Sequence, residues 1–327
     1  MPDSRLPATR HRYGVYGLVV ESELSFASVE EAAGEQRAAL RIVSAAPEAL
    51  RAKSQGLVFD PEEWVKYAVM PGGGVYMRVD GVFEAAVSPD GLEVACARIG
   101  DVDQRSFEAH LLNFALSASL TLQGEELLHS TAIEIGGRAV GLLGSSGAGK
   151  STLAAALIAT GAELVTDDML RLVFTDGVPI AQPGAYRLKL FDGAARRFLP
   201  QAAARGHFNA LNGKVMIEPR SSASDRTRRE GVPLAALVWI GNETPPLPPK
   251  GIVTVRRLAG TELAKVLISC GMSSRYQEID RLARQMAFAG RVAAAVPVIE
   301  LRYARDFAVM DRLVALVRDA AAGKEPS

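Results

Sequence analysis

The sequence predicts an α/β fold, with a smaller β-rich domain over residues 1–105 and a domain of central mixed sheet and flanking helices over 106–327. Three observations predict it: short β-like pieces broken by turns up to residue 98, an apolar strand running through a glycine loop into a helix near residue 144, and alternating strands and helices beyond.

From Tyr13 to Arg98 the pieces are YGLVVESEL, LRIVSA, WVKYAVM, VYMRVDG, VFEAAV and LEVACARI, separated by turns such as PGGG and SPDG. Ser106 to Thr121 carries apolar residues at helical spacing without Gly or Pro, so a helix is expected to open the second half. After it come LLHSTAIEI, a GGR turn, the strand AVGLLG, the glycine loop, a helix from Lys150 to about Ala159, and the strand AELVTDD. Further strands are expected at LRLVF, YRLKLF, KVMIEP, AALVWIG and VPVIELRY, with helices near 261–289 and 306–321.

With 327 residues and 48% apolar content, the chain is long enough to bury two cores. Lys plus Arg and Asp plus Glu number 37 each, so no net field favours nucleic acid or an anionic membrane. The first residues form no run apolar enough for a signal peptide, and no later stretch approaches eighteen uninterrupted apolar residues, so a cytoplasmic location is expected. Cys96 and Cys270 belong to no CxxC pair and are expected to be buried packing residues. His11, His110 and His207 have no companions that would make a metal site.

Chemistry concentrates at Gly144, Ser145, Ser146, Gly147, Ala148, Gly149, Lys150 and Ser151, which fit GxxxxGK[ST], followed by Thr152. Glycine lets backbone amides approach a phosphate without obstruction by side chains. The following helix directs its N-terminal N–H groups at the same oxygens, and Lys150 adds a full charge. Ser151 is placed to bind Mg²⁺ through its hydroxyl, so ATP and Mg²⁺ are the expected cofactors.

Asp167 and Asp168 end the next strand, near the crevice at the carboxyl ends of an open sheet. Adjacent strand residues point to opposite faces, so the pair is expected to divide its work. One would assist the metal and the other would accept the proton of an attacking hydroxyl; a polar strand end would look the same. His129 precedes the strand beside the loop and could tune the carboxylates, contact a phosphate or serve only structurally. Residues 187–230 are rich in cations: Arg187, Lys189, Arg196, Arg197, Arg205, Lys214, Arg220, Arg226, Arg228 and Arg229. They could meet nucleotide phosphates or an acidic peptide, and SSASDRTRR is expected to be a loop suited to a lid.

LLHSTAIEI, GLLGSSGAGKS and ELVTDD, in that order and at short spacing, resemble the HPr kinase-like P-loop kinases, whose C-terminal domain is similar to phosphoenolpyruvate carboxykinase. The resemblance runs from about 122 to 320. It implies His129 and the aspartate pair in the active site, with Asp167 as base and Asp168 assisting the metal. The downstream LEVRGxGI-like segment of HPr kinases proper, with its further metal-binding glutamate and link to reverse phosphorolysis, has no counterpart here. QPGAYRLKLF, Lys214, VPVIELRY and YGLVVESELSF instead resemble kinases of peptide-tailoring clusters, including lasso peptide kinases. That resemblance implies a precursor peptide's C-terminal serine as acceptor, Arg187, Lys189 and Lys214 as substrate contacts, and homo-oligomer assembly. An HPr-type regulatory serine kinase, a small-molecule kinase and a non-catalytic nucleotide-binding module stay open, whereas a GTPase lacks the NKxD segment it would need.

Overall fold

The computed structural model describes residues 10–209, 213–219, 230–241 and 246–325. Arg220, Arg226, Arg228, Arg229 and the SSASDRTRR segment lie outside these residues. The chain divides into two compact units, residues 1–125 with 273–281, and residues 126–272 with 282–327.

The first unit contains β1 (His11–Val15), β2 (Leu18–Ser22), β3 (Glu30–Glu31), β4 (Leu40–Ser44), α1 (Pro47–Ser54), β5 (Val65–Val69), β6 (Val75–Val79), β7 (Phe83–Val87), β8 (Glu93–Arg98) and α2 (Gln104–Leu122). Its single mixed sheet has the order β3-β1-β2-β4-β8-β7-β6-β5. The expected piece YGLVVESEL is interrupted: Tyr16 and Gly17, at φ 55° and 70°, turn the chain tightly between β1 and β2. This is the hairpin geometry that needs two left-handed residues.

Asp103 caps α2 by accepting from the Ser106 amide at 2.9 Å. The helix is buried along almost its whole length and packs on β7 and β8, where the Ser119 hydroxyl donates to the Gly91 carbonyl at 2.5 Å. Its buried face includes the polar residues Glu108, His110 and Asn113 as well as apolar ones. The domain boundary expected at 105/106 therefore falls at 125/126, with α2 in the first unit.

The second unit holds β9 (Leu127–Leu128), β10 (Ser130–Ile135), β11 (Arg138–Leu143), α3 (Lys150–Ala159), β12 (Glu163–Thr166), β13 (Leu170–Thr175) and β14 (Val178–Ala181). These are followed by β15 (Leu188–Leu190), α4 (Asp192–Phe198), α5 (Pro200–Ala204), β16 (His207–Asn209), β17 (Lys214–Ile217) and β18 (Val232–Ile240). Last come β19 (Val253–Arg257), α6 (Gly260–Ser269), α7 (Ile279–Ala295, its first residues counted with the other unit), β20 (Val298–Tyr303), a 3-10 turn Phe307–Val309, and α8 (Met310–Ala321).

Its main sheet runs β12-β10-β11-β18-β14-β13-β9, with β20 also on β18 and β19 on β20. Strands β11, β18 and β20 are parallel, while β10 runs antiparallel between β11 and β12. Strand β12 therefore points the same way as β11. Alternate residues serve two cores: Val140, Leu142, Val238, Ile240, Ile299 and Leu301 pack with α3 and α8, and Ala139, Leu143, Leu237 and Val298 pack with α6 and α7. A small antiparallel sheet, β15-β17-β16, stands apart. Both cysteines are buried. Among the described residues no helix is long and apolar enough to cross a membrane.

The consequence for chemistry is one shared edge. The carboxyl ends of β11, β12, β18 and β20 and the amino end of β10 all open on the same side of the sheet, as an α/β crevice requires.

Candidate active site

The loop Gly144–Gly149 leaves β11 at that edge and delivers α3. Gly144 stands at φ 148°, and a Cβ there would lie 2.9 Å from the Ala148 Cβ. Gly149, the N-cap of α3, has φ 113°, and its Cβ would lie 3.0 Å from the Tyr303 hydroxyl. Both positions need glycine, by conformation and by space. Ser146 and Gly147 form the exposed crest, Ser145, Ser151 and Thr152 are half-buried, and Ala148 is buried in the α3 core.

No side chain caps the N-terminus of α3, so its positive end faces the edge. The buried Lys150 ammonium curls back over the loop and donates to the carbonyls of Gly144 (2.6 Å) and Ser145 (3.0 Å). Burial pushes its pKa down, and the charges of Asp168 and Asp167 oppose that shift. The expected phosphate lysine and both carboxylates thus lie within electrostatic reach of one another.

The aspartates do not divide across two strand faces as alternation suggested. Strand β12 stops at Thr166, and Asp168 takes a left-handed conformation at φ 68°, which aspartate tolerates better than most residues. That kink lets both carboxylates reach one residue: Asp167 Oδ2 accepts from the Lys189 amide at 3.0 Å, and Asp168 Oδ2 pairs with the Lys189 ammonium. Asp167 Oδ1 accepts from the Thr131 hydroxyl at 2.7 Å. Their acidities separate. Burial and the neighbouring Asp168 charge hold the Asp167 pKa above the usual carboxylate range, against the cation and donors around it. Burial also acts on Asp168, but Lys189, His129 and Arg187 outweigh it and hold that carboxyl well below the usual range.

His129 sits where the expected strand LLHSTAIEI breaks into β9 and β10, and its amide donates to the Cys270 carbonyl at 2.6 Å. Burial, aided by the Lys150 charge and opposed by Asp168, pushes its pKa down to about 4, so the ring is neutral near pH 7. Of the cations expected to meet substrate, Lys189 touches both aspartates, buried Arg187 acts on Asp168, and Lys214 acts on His129 and Lys150. Lys214 also stands 5.6 Å from the Phe191 ring centre. Among the described residues, the other cations of the basic stretch are engaged elsewhere or exposed: Arg196 pairs with Asp192 on α4 at 2.7 Å, Arg197 lies over Phe307, and Arg205 is an exposed residue after α5.

A divalent cation would draw on Asp168 and the Ser151 hydroxyl. No cluster of three His, Cys, Asp or Glu among the described residues could hold a metal ion alone. This donor set fits Mg²⁺, which keeps several waters and binds through one or two carboxylates together with substrate phosphates. The sequence does not single out Thr131 or Tyr303; the pairing of β10 with β12, which sets Ala132 opposite Thr166, is what brings Thr131 beside Asp167.

No family model matches the chain, and no curated protein matches it. Among solved structures, the Hpr(Ser) kinase/phosphatase from Coxiella burnetii is similar at 16% identity and a TM-score of 0.34, covering 60% of this chain and 91% of that one. At so low a TM-score the reading of the site rests on this chain's own residues.

Proposed function

We propose that the chain is an ATP-dependent kinase that transfers the terminal phosphate to a serine hydroxyl of a peptide. One observation carries the reading: a glycine loop with its lysine, and two carboxylates of opposed acidity, converge on one sheet edge with Lys189 bridging the acids. The loop amides, the α3 terminus and Lys150 bind the polyphosphate, Lys150 exchanging the Gly144 and Ser145 carbonyls for phosphate oxygens. Ser151 and Asp168 would hold Mg²⁺, which would supply charge neutralisation at the phosphates. Asp168 stays ionised beside Lys189. Asp167, its pKa raised, takes the proton of the acceptor hydroxyl as the oxygen attacks the γ-phosphorus and the bond from that phosphorus to the bridging oxygen breaks, releasing ADP. Neutral His129 adds no charge to that pocket, and Lys189, Arg187 and Lys214 orient the transferring group. The motif order and QPGAYRLKLF support a precursor peptide's C-terminal serine as acceptor.

Label transfer from γ-labelled ATP to a serine-ended peptide, a folded carrier protein and a no-acceptor control tests this directly. Label on the peptide, lost in Lys150→Ala by about 10²–10³-fold, is the expected result. Label on the carrier alone selects an HPr-type enzyme, and ATP bound without transfer selects a switch module. Full transfer by Lys150→Ala overturns the loop assignment.

A further inference from the structure

We infer that Phe307 and Arg197 form the platform on which the purine base of the nucleotide stacks, an inference that rests on the kinase reading of the loop. Sheet order gives the direction. Asp167 and Asp168 follow the end of β12, on the β10 side of the loop, so a phosphate that reacts beside them leaves the rest of the nucleotide to lead toward β18 and β20. Strand β20 ends at Tyr303, whose hydroxyl abuts Gly149, and four residues later the chain presents Phe307.

Phe307 is left 43% exposed; Phe191 and Phe208 are exposed as well, but of the three Phe307 is the one that follows β20 and carries an arginine on its face. Its packing explains only part of it: Phe198 meets it edge-on at 5.8 Å between centroids. The exposed Arg197 guanidinium stands 4.9 Å from the ring centre, so it can lift and close over an inserted base. Helix α4 supplies the spacing. It packs on α3, begins after Phe191 beside Lys214, and ends at Phe198. Seven residues of helix span roughly 10 Å, a reach suited to the ribose and phosphates between the reacting end and the base.

The experiment compares binding of ATP and of inorganic tripolyphosphate, each with Mg²⁺, to the full chain and to Phe307→Ala, Phe307→Trp and Arg197→Gln. Stacking predicts that Phe307→Ala weakens ATP by roughly tenfold, leaves tripolyphosphate unchanged, and is rescued by Phe307→Trp. Arg197→Gln should weaken ATP by a smaller factor. An equal loss of both ligands, or of neither, overturns the platform while sparing the loop. A wild-type chain that binds neither ligand overturns the loop reading and the platform with it.

Discussion

Both units bury carboxylates, yet they satisfy them in opposite ways. In the first, Glu108 on α2 is fully buried and, among the described residues, accepts from neutral donors: the amides of Ala27 and Ser28 at 3.0 Å each and the Gln104 side chain at 3.0 Å. In the second, Asp167 and Asp168 are wrapped by Lys189 and lie in the fields of Lys150 and Arg187. Neutral donors pin a loop to a helix and finish there. Cations around a carboxylate pair also make a place that an incoming polyanion can enter. Burial of an acid is thus a poor signal of function, and the company it keeps is a good one.

The sharpest break of the comparison is Asp167→Asn. It keeps the shape and, through its one amide oxygen, the Lys189 amide donor, with the Thr131 hydroxyl turned to accept from the new NH₂, but cannot take a proton, so transfer should fall by about 10²–10⁴-fold with nucleotide affinity intact. Loss of metal affinity with transfer retained would exchange the roles of the two aspartates.

The glycine loop was legible because strand, loop and helix are each written locally, and the helix from Lys150 to Ala159 lies where expected. The left-handed turn at Asp168 was not, since simple alternation along a strand gives no warning of where the strand stops. Ser106 to Thr121 read clearly as a helix, but its membership was hidden: SFEAHLLNFALSASLT mixes polar residues among its apolar ones and is buried nearly all round, and only tertiary packing on β7 and β8 decides which core it enters. Helix α1 was missed because PEALRAKS is eight residues with one buried side chain, too short for periodicity to register. Lys189 and Lys214 stood out by charge. Thr131 did not, since one hydroxyl among apolar neighbours looks like any strand threonine.

Acidification should expose the electrostatic side of the comparison. Folded His129 titrates near 4 against 6.5 in the unfolded chain, so between those values the unfolded state binds the extra proton. Stability from this group is therefore complete above pH 6.5 and is lost as pH falls toward 4, on the order of 3 kcal/mol in total. Denaturant melts of wild type and His129→Gln across that window check it, the variant showing the shallower slope. The depressed Asp168 pKa acts at lower pH, below the ordinary carboxylate value.

Glu108→Ala probes the neutral arrangement. It strands the Ala27 and Ser28 amides, at a cost of about 2–3 kcal/mol of stability in the first unit. Nucleotide affinity should not change, and a parallel loss of ATP binding would show that this carboxylate is not merely structural.

The finest test is Thr131→Val, which removes the one neutral side-chain donor on the base while leaving every cation in place. That hydroxyl favours the ionised form of Asp167, so without it the carboxyl pKa must rise further. A hydrogen bond to a charged group contributes about 1.5 kcal/mol, which corresponds to roughly one pH unit. The acidic limb of the rate profile should shift up by that much, while the rate on the alkaline plateau stays close to wild type. A uniform drop at every pH would mean that Thr131 positions the base instead of tuning it, and the second unit's use of neutral donors would then resemble the first's.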